Sequence, residues 1–202
     1  MPSDFDPGTG LGPRLRAARE ERGLSVRELA RRIGCSASLI SQIERGVSVP
    51  SVGVLYSLAT ELGSSSDYLL FGSLPAGAAA PDTGAARPIV QRGGGRKIID
   101  LASGVRWERL TPQSDARADF LEVVYSPGGH STDERRPLRH EGREYGLVVS
   151  GTLQANVGFE SYELGPGDSI AFDSSTPHEY LNKTGEVVRA IWVVVHAEPG
   201  RG

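Results

Sequence analysis

Between residues 72 and 95 lies a stretch in which 15 of 24 residues are Gly, Ala or Pro and none is aromatic. No apolar period survives there, so the stretch cannot build a core and the chain on either side must fold around its own. A length of 202 residues suits two small domains. The partition that follows is a flexible N-terminus over 1–10, a helical domain over 11–71, a linker over 72–95 and a β domain over 96–202, a two-domain α plus β chain. If flexible, the linker has a root-mean-square reach of roughly 25 to 30 Å, which predicts that the two domains orient independently.

In the first domain, apolar residues recur at helical spacing: Leu15 and Ala18, then Leu29, Ala30 and Ile33, then Leu39, Ile40 and Ile43, then Val54, Leu55, Leu58 and Leu62. About five short helices around one small core are expected. Ser25 and Glu28 have capping-box spacing, in which Ser25 accepts from the Glu28 amide and the Glu28 carboxylate reaches back to the amide of Ser25. Ser36 and Ser51 are placed to start two further helices, and Gly34 and Gly46 supply tight turns.

The net charge is −3, yet residues 11–49 carry eight arginines against four glutamates, a local excess of four positive charges. An arginine-rich head on an acidic body fits phosphate binding. No run of about 18 apolar residues and no basic-then-apolar leader is readable, which predicts a cytoplasmic chain without a membrane partner. The single cysteine, Cys35, has no internal partner and fits a packing role in a reducing compartment.

The segment VRELARRIGCSASLISQIER, residues 26–45, reads as a helix, a glycine turn and a second helix. With its continuation to residue 71 it resembles the Xre/Cro-like helix-turn-helix family of phage and bacterial repressors. That resemblance implies a five-helix Cro/repressor-like fold that binds double-stranded operator DNA. It also implies that the second motif helix offers Ala37, Ser38 and Gln42 to base edges, with Ser41 and Arg45 nearby. Gln42 is the residue able to bond adenine through two atoms. Many family members have a phosphate-contacting glutamine where this chain has Val26, so backbone contacts are expected from Arg27, Arg31, Arg14 and Arg45 and from the amides that open the Ser36 helix.

After Lys97 the pattern changes to short segments rich in Val, Ile, Tyr, Phe and Trp: 105–110, 120–125, 145–149, 153–157, 169–172, 178–181 and 187–196. Turn clusters separate them at the spacing of a β-sandwich or barrel. The stretches LRHEGREYGLVVSG and GDSIAFDSSTPHEYLN within this half resemble the two motifs of the cupin superfamily, in particular the small cupin that follows such a DNA-binding domain in bacterial regulators. The resemblance implies a cupin (RmlC-like) β-barrel in which His140, Glu144 and His178 converge as metal ligands, with Leu138 standing where the family's first histidine falls. His130 and His196 match no ligand position.

Two imidazoles and one carboxylate suit non-haem iron, zinc or manganese. Equally, the two histidines can simply hydrogen-bond Glu144 in a polar cavity. Tyr125, Tyr180 and Arg189, if inward-facing, would join the three around a small polar or anionic effector. The regulator is then a homodimer whose paired heads read a palindrome. The same architecture and triad also occur in the iron-dependent hydroxypropylphosphonate epoxidases, which makes an oxygenase the alternative. A third possibility, a barrel used only for dimerisation, predicts an interior filled by side chains.

Overall fold

A computed structural model of the chain describes residues 10–72, 88–113, 115, 117–132 and 137–196. Most of the expected N-terminal tail, residues 73–87 of the expected linker and residues 197–202 lie outside the described residues. No described helix is long and apolar enough to cross a membrane.

Among the described residues the head has five helices: α1 (Leu11–Glu21), α2 (Val26–Ile33), α3 (Ala37–Glu44), α4 (Val52–Glu61) and α5 (Ser66–Phe71). Their starts follow local chemistry. Ser25, Ser36, Ser51 and Ser65 each accept a hydrogen bond from the amide three residues on. Gly34 ends α2 with φ of 69°, the left-handed geometry that a side chain resists. One half of the expected capping box is absent. The Glu28 carboxylate is taken by Arg31 at 2.6 Å and Arg32 at 2.8 Å, because i, i+3 and i, i+4 neighbours face each other on the helix surface.

Leu15, Leu29, Ile40, Ile43, Leu55 and Leu58 form the head's fully buried centre, each side chain stabilising by about 1.5 to 3 kcal/mol relative to exposure. Ala30 lies buried on the α2 face of that centre, where its small side chain suits the close packing of α2 on α3. The Arg19 guanidinium clamps Glu44 with bonds of 2.6 and 3.0 Å, joining α1 to the end of α3.

The second half folds into nine strands among the described residues: β1 (Ile98–Leu101), β2 (Val105–Arg109), β3 (Ala118–Tyr125), β4 (Arg143–Ser150), β5 (Leu153–Val157), β6 (Glu160–Leu164), β7 (Ser169–Asp173), β8 (His178–Leu181) and β9 (Val188–Val195). They form a six-stranded sheet in the order β1-β2-β3-β9-β4-β7 and a three-stranded sheet in the order β6-β5-β8, all antiparallel. This is the cupin fold. Strands β1 and β6 were not expected from sequence. The first is only four residues long, and the second, ESYEL, is exposed except at Leu164 and so lacks the alternation that marks a half-buried strand.

The expected independence of the two domains is not what the structure shows. Helices α4 and α5 are docked on the barrel. Gly53 N donates to Ser131 O at 3.1 Å and Ala102 N to Pro50 O at 3.0 Å. Ser66 Oγ donates to Asp119 at 2.8 Å, and the Arg109 guanidinium meets Asp67 at 3.1 Å with both side chains nearly inaccessible. The physical reason is that α4 is apolar on two faces: Leu55, Leu58 and Ala59 serve the head, whereas Val52 and Tyr56, one turn apart, cover the barrel interior.

Inside the barrel, Gly146 of β4 lies beneath Trp192, and a Cβ there would sit 2.3 Å from the indole ring. Gly146→Ala is therefore expected to cost about 1 to 3 kcal/mol by overpacking, whereas Phe159→Ala in the exposed turn between β5 and β6 stays within about 0.5 kcal/mol. Urea unfolding of the two variants checks this.

Candidate functional site

Strand β4 carries Glu144 inward, and the segment before it carries His140 to the same level. His178, the first residue of β8, arrives from the other sheet, held by a backbone pair with Leu138. One ligand atom from each of His140, Glu144 and His178 lies within 4.8 Å of the others. His140 Nε2 is 2.7 Å and His178 Nε2 3.0 Å from Glu144 Oε1, while Tyr180 Oη donates to Glu144 Oε2 at 2.6 Å. Burial disfavours the Glu144 carboxylate, but the adjacent imidazoles of His140 and then His178 outweigh it and hold its pKa down to about 2. Tyr180 is pushed up, first by burial and then by the Glu144 charge, so its phenol stays a donor.

The donor set fits a divalent cation. His178 Nδ1 faces Thr176 O at 2.8 Å, which makes it the protonated nitrogen. Nε2 of a neutral His178 is then a lone pair directed at a carboxylate oxygen, and it is buried with no hydrogen-bond partner. Two acceptors facing each other at 3.0 Å need either an extra proton or a cation between them.

Tyr125 and Tyr180 line the barrel interior. Arg189 does not. It lies on the outer face, paired with Glu122 at 2.8 Å through Nε, because strand alternation turns its neighbours Val188 and Ala190 inward. It is therefore removed from the effector set. The interior itself is nearly full, with about 20 Å³ open, room for roughly one water.

Tyr56 was not singled out from sequence, where it reads as an ordinary core residue of α4. Its ring stacks on His140 with centroids 4.3 Å apart and planes 9° apart, and it meets Trp107 edge-on at 5.8 Å. Leu138, at the missing ligand position, packs 3.4 Å from where a Gly53 Cβ would stand. The two residues make the mouth of the barrel part of the head's docking surface.

On the head, α3 displays Ser38 exposed and Ser41 and Gln42 half-buried; Gln42 donates to Ser38 Oγ at 3.4 Å. Ala37 is half-buried against the core. Arg27 and Arg45 are exposed, and Arg45 Nε donates to Ser41 O at 3.1 Å. Two further expected phosphate contacts also make intramolecular contacts. Arg14 donates to the carbonyls of Leu69 and Leu70 at 2.9 and 2.6 Å, satisfying the end of α5, and Arg31 is held by Glu28.

His196 sits just after β9, 3.3 Å from Asp119, which also accepts from Ser66 of the head. Asp119 raises the His196 pKa above its ordinary 6.5, against the opposing effect of burial. A raised pKa contributes stability that is complete below the unfolded value and lost as pH rises through the folded one. Docking of α5 is therefore expected to loosen as pH rises from the ordinary 6.5 through the raised folded value, seen as an increased radius by small-angle scattering. His196→Gln should flatten that dependence, and Asp67→Ala, which strands a buried guanidinium, should loosen the head at every pH.

Comparison with known proteins agrees with this architecture. The Helix-turn-helix family matches residues 15–69 and the Cupin domain family residues 121–194. The chain is 27% identical over 188 residues to the HTH-type transcriptional regulator PuuR of Escherichia coli (strain K12), covering 92% of this chain and 95% of that one. It is 36% identical over 58 residues to the HTH-type transcriptional regulator YazB of Bacillus subtilis (strain 168), covering 29% of this chain and 84% of that protein. The crystal structure of an HTH_3 family transcriptional regulator from Vibrio cholerae shares the fold, with a TM-score of 0.65, 24% identity, and 93% and 96% of the two chains covered. The chain belongs to the Xre-like helix-turn-helix transcriptional regulators that carry a C-terminal cupin domain.

Proposed function

We propose that this regulator is a cytoplasmic, non-enzymatic homodimer that binds double-stranded operator DNA through α3 and adjusts that binding through the occupancy of its barrel. The observation that carries the coupling is the stack of Tyr56, from the head, on His140, from the candidate ligand cluster. A group bound by His140, Glu144 and His178 must reposition the His140 ring or use it as it stands, and either choice biases how α4 sits. By linkage, DNA then changes affinity for that group by the same factor.

Zinc, iron or manganese would be held by the two imidazoles and the carboxylate, and would supply positive charge where Glu144 now stands between two histidines. Tyr180 orients Glu144 from the side away from His178. A small polar or anionic effector could reach the cluster only if Val52 and Tyr56 move aside, because the closed interior has no room for it. Glu144→Ala and His178→Ala are each expected to reduce bound divalent metal at least tenfold. Elemental analysis of the purified variants after zinc loading checks this, and no change would dismiss the three as ligands. The triad also suits the epoxidase alternative; oxygen uptake with ferrous iron and hydroxypropylphosphonate would reveal it.

In DNA binding, Gln42 is assigned to base reading with Ala37, Ser38 and Ser41 beside it, and Arg27 and Arg45 to phosphates. Gln42→Ala should lower specific binding by about 1 to 3 kcal/mol and relax one base position, whereas Arg27→Ala should weaken all sequences alike and flatten the salt dependence. Sites selected from random DNA, then titrated at two salt concentrations, separate the two effects.

For dimerisation the outer face of the six-stranded sheet is assigned. Phe120, Val193 and Tyr145 are cross-strand neighbours there, with Ile191 and Leu147 in the adjoining row. Phe120, Tyr145, Leu147 and Val149 are 39 to 50% exposed, an apolar patch of the kind that marks an interaction surface. Leu147→Glu is expected to give a monomer in light scattering and to weaken operator binding; an unchanged dimer would move the interface elsewhere.

A further inference from the structure

We propose that the cleft between the head and the barrel, distinct from the His140 cluster, binds a small molecule with an apolar body and a single anionic group. The cleft measures about 660 Å³, within the range of about 300 to 1,000 Å³ usual for small-molecule sites. The barrel interior, with about 20 Å³, has no comparable space.

The cleft is not a gap between loosely associated domains. One wall is helical, with Ile33, Leu39 and Val54 only half-buried along it. The other is the barrel segment Pro137, Leu138 and Arg139. Tight contacts fix the separation of the two walls: Gly53 N to Ser131 O at 3.1 Å, and the Tyr56 ring on His140 at 4.3 Å. The volume therefore belongs to the docked arrangement.

Charge selects the ligand class. Arg139 is exposed, and among the described residues it has no ion pair, while no carboxylate is among the described residues lining the cleft. Among the described lining residues a cation would meet a guanidinium with no carboxylate to compensate it, whereas an anion gains a charge-assisted hydrogen bond. The apolar side chains opposite Arg139 take the rest of the molecule.

Because the ligand touches both walls only when the head is docked, it stabilises that arrangement and holds α3, through Leu39, at a set distance from the barrel. The site itself stands on the geometry of the cleft; its consequence for transcription rests on the regulatory function proposed above.

Calorimetric titration of the full chain with octanoate, octyltrimethylammonium and butane-1,4-diamine tests the assignment, with the first two sharing one apolar body and differing in charge. Octanoate is expected to bind saturably, one per chain, at least tenfold more tightly than either cation. Arg139→Glu should weaken octanoate at least tenfold, and Ser57→Trp, which fills the cleft, should abolish its binding while leaving zinc uptake unchanged. Should Ser57→Trp lower the melting temperature, the exposed Arg139 variant decides. Failure of octanoate to saturate, equal affinity for the octyl cation, or indifference to Arg139→Glu would each overturn the site. Operator binding by ligand-free protein is scored separately: its absence with octanoate binding intact would remove the regulatory function and leave the site standing.

Discussion

The closure of the barrel mouth by α4 is the contact on which the rest of the molecule depends. Val52 and Tyr56 shield the interior from water, and the Tyr56 ring lies flat on His140. Removing α4 would expose Trp107, Leu138 and the Glu144 cluster together, so the apolar cost of undocking and the polar cost of the buried carboxylate fall on the same event. Around this centre the Asp67–Arg109 ion pair and the Ser66–Asp119 hydrogen bond set direction more than strength. A buried ion pair recovers little beyond its own desolvation, but it penalises any misplacement of α5.

Glu144 is almost wholly buried in the barrel. The neighbouring His140 and His178 hold its carboxylate ionised against burial, and it accepts a hydrogen bond from Tyr180 Oη. The second cupin motif otherwise serves structure. Asn182 donates to the carbonyls of Tyr125, Ser126 and Glu186, tying the end of β8 to the ends of β3 and the loop before β9. One motif thus divides between a residue that faces the ligand cluster and residues that hold the turn.

The head's positive charge is distributed by similar logic. Of its arginines, Arg14 caps carbonyls, Arg19 holds Glu44, and Arg31 and Arg32 share Glu28. Arg27 and Arg45 stay exposed at the two ends of the α2–α3 motif. The net count already subtracts the glutamates, but it does not show that a guanidinium such as that of Arg14 serves a helix end.

Local rules made most of the secondary structure legible. Serine caps, glycine turns and the 3.6-residue period placed α2 to α4, and two-residue alternation with Gly-rich turns placed seven of the strands. The resemblance of two short motifs named His140, Glu144 and His178 as a set, and the fold brought them together. Strand β6 escaped because an exposed edge strand needs no alternation, and Arg189 was misplaced because a single residue's inward or outward sense depends on register. The docking of head on barrel was invisible for a different reason. Tyr56 and Leu138 are 82 positions apart across a linker whose composition suggests freedom, and nothing local records that one apolar face of α4 has its partner in another domain. Sequence determines which surfaces must be buried; only the tertiary structure decides against what, since hydrophobic burial has no direction of its own until backbone pairs such as Gly53–Ser131 and charges such as Asp67–Arg109 supply one.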